Sequence, residues 1–138
     1  MASQVVRIVG GSSGYVFHAD GNGTENLRMY GSSYNPVCQE FYLEPWEGGY
    51  RIVNQHTRYY VHADSDGKAG LRMYSSPNPK CQVFELERNG DKFRLKNKHS
   101  GFYVHADDNG MGELRMYGEA NDACQLFAFY VLTTNPEK

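Results

Sequence analysis

At 138 residues the chain has the length of one domain and enough material for a single buried core. Lys and Arg number 14 against 16 Asp and Glu, a formal net charge of −2, and no face gathers basic residues, which argues against nucleic acid as a partner. No apolar run approaches the roughly 18 residues of a membrane span, so membrane insertion is not expected.

Strands are predicted over residues 5–9, 15–20, Leu27–Tyr30 and 39–43, separated by turns at 10–14 and 21–23 and by a polar loop at 31–36. Residues 44–49, with Pro45 and Gly48-Gly49, turn the chain back. The pattern restarts with strands over 50–54, 59–64, Leu71–Tyr74 and 82–87, and Asn89-Gly90 closes it as a hairpin-type turn. A third round runs through Lys92–Asn97, 102–107, Leu114–Tyr117 and 125–132, followed by a tail at 133–138. Nowhere does an apolar stripe at i, i+3, i+4, i+7 appear, so the expected class is all-β.

One phrase recurs in each round: HADGNGTENLRMY from His18, HADSDGKAGLRMY from His62 and HADDNGMGELRMY from His105. Each copy is followed by Cys-Gln-x-Phe, beginning at Cys38, Cys81 and Cys124. Corresponding residues lie 43 or 44 apart, a period that signals a repeat architecture. The expectation is one domain, 1–138, with repeats at about 5–49, 50–91 and 92–132. A propeller closes with typically 4–8 blades, and three units are too few. Three four-stranded units close when each gives two strands to a barrel and two to a cap, which is the β-trefoil. Cysteines at equivalent places around a three-fold axis lie too far apart to pair, so they read as reduced packing thiols.

Strand alternation assigns the faces. In each Leu-Arg-Met-Tyr, Leu and Met turn to the core and Arg and Tyr outward. His18 and Asp20 share a face, as do His62 with Asp64 and His105 with Asp107. Each repeat is therefore expected to carry one outward patch: His18, Asp20, Arg28 and Tyr30; His62, Asp64, Arg72 and Tyr74; His105, Asp107, Arg115 and Tyr117. Asn35, Asn78 and Asn121, each three residues before the cysteine, complete the rim. Phe41, Phe84 and Phe127 are assigned to the core, and Gln39, Gln82 and Gln125 to bonding backbone that would otherwise be orphaned.

A pyranose offers an apolar face and a rim of hydroxyls. Tyr packs on the first; Asp accepts from hydroxyls; Arg donates a planar fork; His donates or accepts. These residues are the candidate sugar-binding set. The competing reading is a scaffold surface in which Asp and Arg form a cross-strand ion pair worth about 0–1 kcal/mol. Catalysis lacks support, because no nucleophile recurs and each repeat guarantees one carboxylate where a glycosidase needs two. No cofactor and no metal site is expected. His56 and His99, equivalent to Ser12, read as loop residues, and a histidine in every patch implies pH sensitivity near the free-histidine value of about 6.5.

The succession of a strand ending in a polar residue, a Gly-containing turn, a strand with a polar residue two before an aromatic, and Gln-x-aromatic resembles one subdomain of the R-type (ricin-B-like) β-trefoil lectins. The resemblance spans residues 5–132. It aligns the family's strand-two aspartate onto His18, His62 and His105, its strand-three polar residue onto Arg28, Arg72 and Arg115, and its stacking aromatic onto Tyr30, Tyr74 and Tyr117. The family's Gln-x-Trp is Gln-x-Phe here. The chain is also similar to the mussel galactose-binding trefoil lectins of the MytiLec type, with His-Ala-Asp-x-x-Gly in place of their His-Pro-x-Gly-Gly. The resemblance implies a lectin that recognises galactose-containing glycans of cell-surface glycoproteins or glycolipids through up to three equivalent shallow sites, and that agglutinates cells. Exposed aromatics allow a homodimer. The alternative from another class is an intracellular, actin-binding trefoil of the fascin or hisactophilin kind. The opening residues lack the basic and then apolar pattern of a secretory leader, so residence in the cytoplasm or release by a non-classical route is expected.

Overall fold

Alternation holds to the residue in the third strand of each repeat: Leu27 and Met29, Leu71 and Met73, Leu114 and Met116 are buried, while Arg28, Arg72 and Arg115 are exposed. The structure is a computed structural model that describes residues 4–132; the tail expected at 133–138 lies outside the described residues. Twelve strands run in chain order: β1 Val6–Gly10, β2 Val16–Ala19, β3 Leu27–Tyr30, β4 Phe41–Trp46, β5 Gly49–Asn54, β6 Tyr60–Ala63, β7 Leu71–Tyr74, β8 Phe84–Asn89, β9 Lys92–Asn97, β10 Tyr103–Ala106, β11 Leu114–Tyr117 and β12 Phe127–Val131.

The pairing closes a ring. β1 pairs with β4, β4 with β5, β5 with β8, β8 with β9, β9 with β12, and β12 returns to β1, every pair antiparallel. This six-stranded barrel has no free edge. The remaining strands form the hairpins β2–β3, β6–β7 and β10–β11, each hung on the barrel by one pairing: Val9 to Val16, Val53 to Tyr60, Lys96 to Tyr103. Barrel plus three hairpins is the β-trefoil.

Phe41, Phe84 and Phe127 are at most 1% exposed, as assigned. Phe17 stands among them, its ring 6.3 Å from Phe41 and 5.3 Å from Phe127, both edge-on. Ile8, Ile52 and Leu95 fill the layer between. Each such side chain contributes about 1.5–3 kcal/mol on burial.

Two local features depart from expectation. Strand four begins at the Phe of Cys-Gln-x-Phe, because Pro36–Gln39, Pro79–Gln82 and Asp122–Gln125 each form a single helical turn that ends on the Gln. The Asp-x-x-Gly turns each form a four-residue coil, Asp20–Gly23, Asp64–Gly67 and Asp107–Gly110. Both central residues are left-handed: Gly21 and Asn22, Ser65 and Asp66, Asp108 and Asn109, at φ 54–65°. Small polar residues tolerate that region better than most.

The repeats are tied in a circle. Thr57 Oγ1 donates to the carbonyl of Gly23, Ser100 Oγ to that of Gly67, and Ser13 Oγ to that of Gly110, at 2.8–3.0 Å. Each repeat thus pins the Asp-x-x-Gly turn of the one before it, and the third is pinned by the first.

Candidate sugar-binding site

Strand β2 puts His18 directly opposite Arg28 of β3, and β6 and β10 do the same for His62 with Arg72 and His105 with Arg115. The Asp that opens the following turn reaches back to the arginine. Arg28 Nε donates to Asp20 Oδ1 at 2.9 Å, Arg72 to Asp64 at 2.9 Å, and Arg115 to Asp107 at 3.1 Å. The guanidinium carbon lies 4.9 Å from the ring centroid of Tyr30, 4.9 Å from Tyr74 and 5.1 Å from Tyr117. The tyrosine is half-buried and the arginine exposed, so this edge of the hairpin meets water as expected.

The histidines do not. His18, His62 and His105 are only 7%, 4% and 5% exposed, which corrects the expectation that they face outward. The loop after β3 and the helical turn beyond it fold over the ring. Gln39 Nε2 donates to His18 Nδ1 at 2.9 Å and to the Ser33 carbonyl at 3.0 Å, and its Oε1 accepts from the Asn35 N–H at 3.1 Å. Gln82 repeats this with His62, Ser76 and Asn78, and Gln125 with His105, Glu119 and Asn121. The glutamines therefore bond backbone, as assigned, and also hold the histidine.

This bond fixes the tautomer. An amide N–H can only donate, so Nδ1 accepts and the ring proton sits on Nε2. Nε2 lies 3.7, 3.5 and 3.4 Å from the carboxylates of Asp20, Asp64 and Asp107. On its other side each imidazole packs on the tyrosine, with ring centroids 4.4–4.6 Å apart. Burial pushes all three histidines below the ordinary value; at His62 and His105 the neighbouring aspartate opposes this and the arginine adds to it. At His18 the Arg28 charge adds to burial and Asp20 opposes both.

Asn35, Asn78 and Asn121 stand just before the helical turns, and their side chains make no capping bond to them. Residues at equivalent places in the three repeats, Leu27, Leu71 and Leu114, border one depression of about 490 Å³ on the pseudo-three-fold axis. Asp20, Arg28, Asp64 and Arg72 line it together with Met111 and Glu113, so these ion pairs of repeats one and two open onto shared ground. The repeated phrase by itself implies three separate patches.

A second periodic set escaped it: Arg7, Arg51 and Arg94, on β1, β5 and β9, spaced at the same 44 and 43 residues as the repeated phrase. Each stands between an apolar residue and Ile or Leu, as Val-Arg-Ile, Tyr-Arg-Ile and Phe-Arg-Leu, and that repeated context at constant spacing was the available signal. Cys38, Cys81 and Cys124 are free and buried, and burial raises the thiol pKa of the first two. Among the described residues no group of three His, Cys, Asp or Glu side chains converges to hold a metal.

A family model described as ricin-type β-trefoil lectin domain-like matches residues 37–115. No curated protein matches the sequence. Among solved structures, a designed three-fold symmetric protein, ThreeFoil, superposes with a TM-score of 0.80 at 17% identity, covering 93% of this chain and 99% of that one. A lectin of Polyporus squamosus, bound to the epitope Neu5Acα2-6Galβ1-4GlcNAc, gives 0.78 at 15% identity over 94% of this chain and 49% of its own. The ricin B-like lectin of Macrolepiota procera, in complex with lactose, gives 0.77 at 12% identity over 94% and 96%. At these identities the likeness is one of fold.

Proposed function

This chain belongs to the ricin-type β-trefoil lectin-like family, and from that premise we propose that it binds galactose-type sugars of cell-surface glycans at up to three equivalent sites and catalyses no reaction on them. One observation carries the reading: the His–Tyr–Arg–Asp cluster occurs three times with nearly the same distances, each held from behind by a buried glutamine. Conserving a geometry this closely preorganises polar groups for a ligand at little entropic cost.

Within each site the roles divide by exposure. The Asp carboxylate accepts from sugar hydroxyls, the Arg fork donates, the exposed part of the Tyr ring takes the apolar face, and the Asn amide closes the rim. The buried histidine positions these groups. Its Nε2 lies 3.4–3.7 Å from the aspartate and its ring backs the tyrosine. Lectins complexed with lactose and with a galactose-containing epitope share the fold, which supports galactose as the sugar class. Three sites around one axis, two of them opening onto the same depression, let one molecule engage several sugars of a glycan-bearing surface, and multivalency raises avidity by roughly 10²–10⁴ over one site.

Calorimetric titration with lactose tests this. The expected stoichiometry is up to three, falling by one in the double variant Asp64→Ala, Tyr74→Ala. An unchanged stoichiometry discards the site, and the absence of heat with lactose and of any signal on a galactoside array discards the function.

A further inference from the structure

We propose that repeat one carries, beside its sugar site, a subsite for an anionic substituent on the sugar, a carboxylate or a sulfate ester, built on Arg7 and absent from repeats two and three. The proposal rests on the sugar-binding reading above for its biological ligand, and on Arg7 itself for its chemistry.

The three periodic arginines occupy equivalent places, yet their charges are met differently. Arg51 lies opposite Glu44 across β4–β5, and its guanidinium bonds that carboxylate at 2.7 and 2.9 Å. Arg94 lies opposite Glu87 and bonds Asp122 of its own repeat's helical turn; Glu87 is taken by Lys96 at 3.4 Å. Arg7 lies opposite Tyr130, where the other repeats have glutamate. Among the described residues it has no carboxylate partner, and its buried Nε–H has no acceptor. Arg94 Nε is likewise unmet, but its guanidinium is neutralised by Asp122.

A buried N–H of a cation without an acceptor is costly, and so is uncommon unless something fills the place. Here there is a place to fill. Arg7 lines a hollow of about 140 Å³ with Tyr30, Ser32, Ser33, Tyr34 and Gln39. Tyr30 belongs to the repeat-one sugar site and Gln39 braces its histidine, so the hollow adjoins that site. The guanidinium is flanked by the rings of Tyr34 and Tyr130, at 4.7 and 5.0 Å, which fixes its plane. Two serine hydroxyls supply further donors, and a planar fork beside hydroxyls suits the oxygens of a carboxylate or sulfate. The carboxylate at the far end of the Tyr34 ring, Glu40, accepts from that phenol and is paired with His56 Nε2 at 2.9 Å, so its charge is engaged elsewhere. A hollow of this size takes an acidic group and not a second ring.

Two measurements test the subsite. Lactose, 3′-sialyllactose and 3′-sulfolactose are titrated into the wild type, Arg7→Gln and Tyr130→Glu. The last variant installs the counter-ion that repeat two already has, at an exposed position. The wild type should bind one equivalent of an acidic sugar about tenfold more tightly than lactose. Both variants should lose that preference and keep lactose binding, and which acidic sugar shows it identifies the anion. If lactose binds and neither acidic sugar gains, or if the gain survives in both variants, the subsite is wrong while the lectin reading stands. Independently of any sugar, inorganic sulfate is titrated while the Arg7 Nε–H resonance is followed by NMR. A saturable shift, absent in Tyr130→Glu, supports the subsite even if no galactoside binds; a resonance that does not move overturns it.

Discussion

Gln82 Nε2 lies 3.0 Å from Nδ1 of His62, both side chains buried, twenty residues apart in sequence. The same amide donates to the Ser76 carbonyl and its oxygen accepts from the Asn78 N–H, so one side chain holds the histidine, the loop and the start of the helical turn. Gln82→Leu keeps the volume and leaves those groups without partners. Each buried unmet group costs about 1–3 kcal/mol, and partial relaxation brings the expected loss to roughly 2–4 kcal/mol. Urea unfolding of the variant measures it; a midpoint equal to wild type would mean the glutamine is not the brace described.

The same bond sets the sign of the pH response. A protonated imidazole cannot accept from the amide, and burial already lowers the values of His18, His62 and His105 below 6.5. Between the folded value and the unfolded one of about 6.5, the unfolded chain binds more protons, so stability rises with pH through that window. Stability is therefore full above about pH 6.5 and is lost as pH falls through the lower folded values. Sugar affinity should follow, flat from pH 7 to 8 and declining on acidification. The titration expected near the free-histidine value is thus displaced downward. A Tm that climbs between pH 7 and pH 5 would contradict this account.

Much of this was legible because the period is strong. The strand positions other than those of β4, β8 and β12, the Leu and Met core faces and the Phe41, Phe84 and Phe127 core follow from alternation applied to one repeated unit, and the Asp–Arg pairs are those of the competing scaffold reading. The burial of His62 did not, for a physical reason. Alternation says which side of a hairpin a residue takes, but not whether a later segment will cover that side. The cover here, the turn Pro79–Gln82, is tied on by a side chain that local reading assigned to backbone alone. The Arg7 set was missed because its chemistry depends on what stands across the barrel: Tyr130, Glu44 or Glu87, a register that no local pattern states.

The Asp64–Arg72 pair separates scaffold from site. Both partners are well exposed, 40% and 44%, so solvent screens the pair and it contributes only about 0–1 kcal/mol to stability. Asp64→Asn should leave the thermal midpoint within a few degrees of wild type. If the aspartate accepts from sugar hydroxyls, the same change weakens that site about tenfold or more. Equal lactose isotherms for the two proteins would return the pair to a purely structural role.

Two glycines in repeat two make a matched test of the left-handed turn and the tie between repeats. Gly67 has φ +94°, and a Cβ built on it would meet the Asn97 amide at 2.4 Å. That amide is fully buried, accepting from the N–H groups of His99 and Ser100 and donating to the Lys80 carbonyl, so it has nowhere to retreat. Gly67→Ala should therefore cost about 2 kcal/mol or more, since backbone strain and displacement of a satisfied polar group add. Gly70, three residues on, would place a Cβ in open space. There, alanine restricts the unfolded chain without straining the native one, and the expected change runs from neutral to about 1 kcal/mol of stabilisation. Opposite outcomes from the same chemical change, read by urea midpoints on the two variants, would show that the turn depends on its left-handed glycine together with the Asn97 amide that the next repeat packs against it. Equal outcomes would leave that tie without energetic weight.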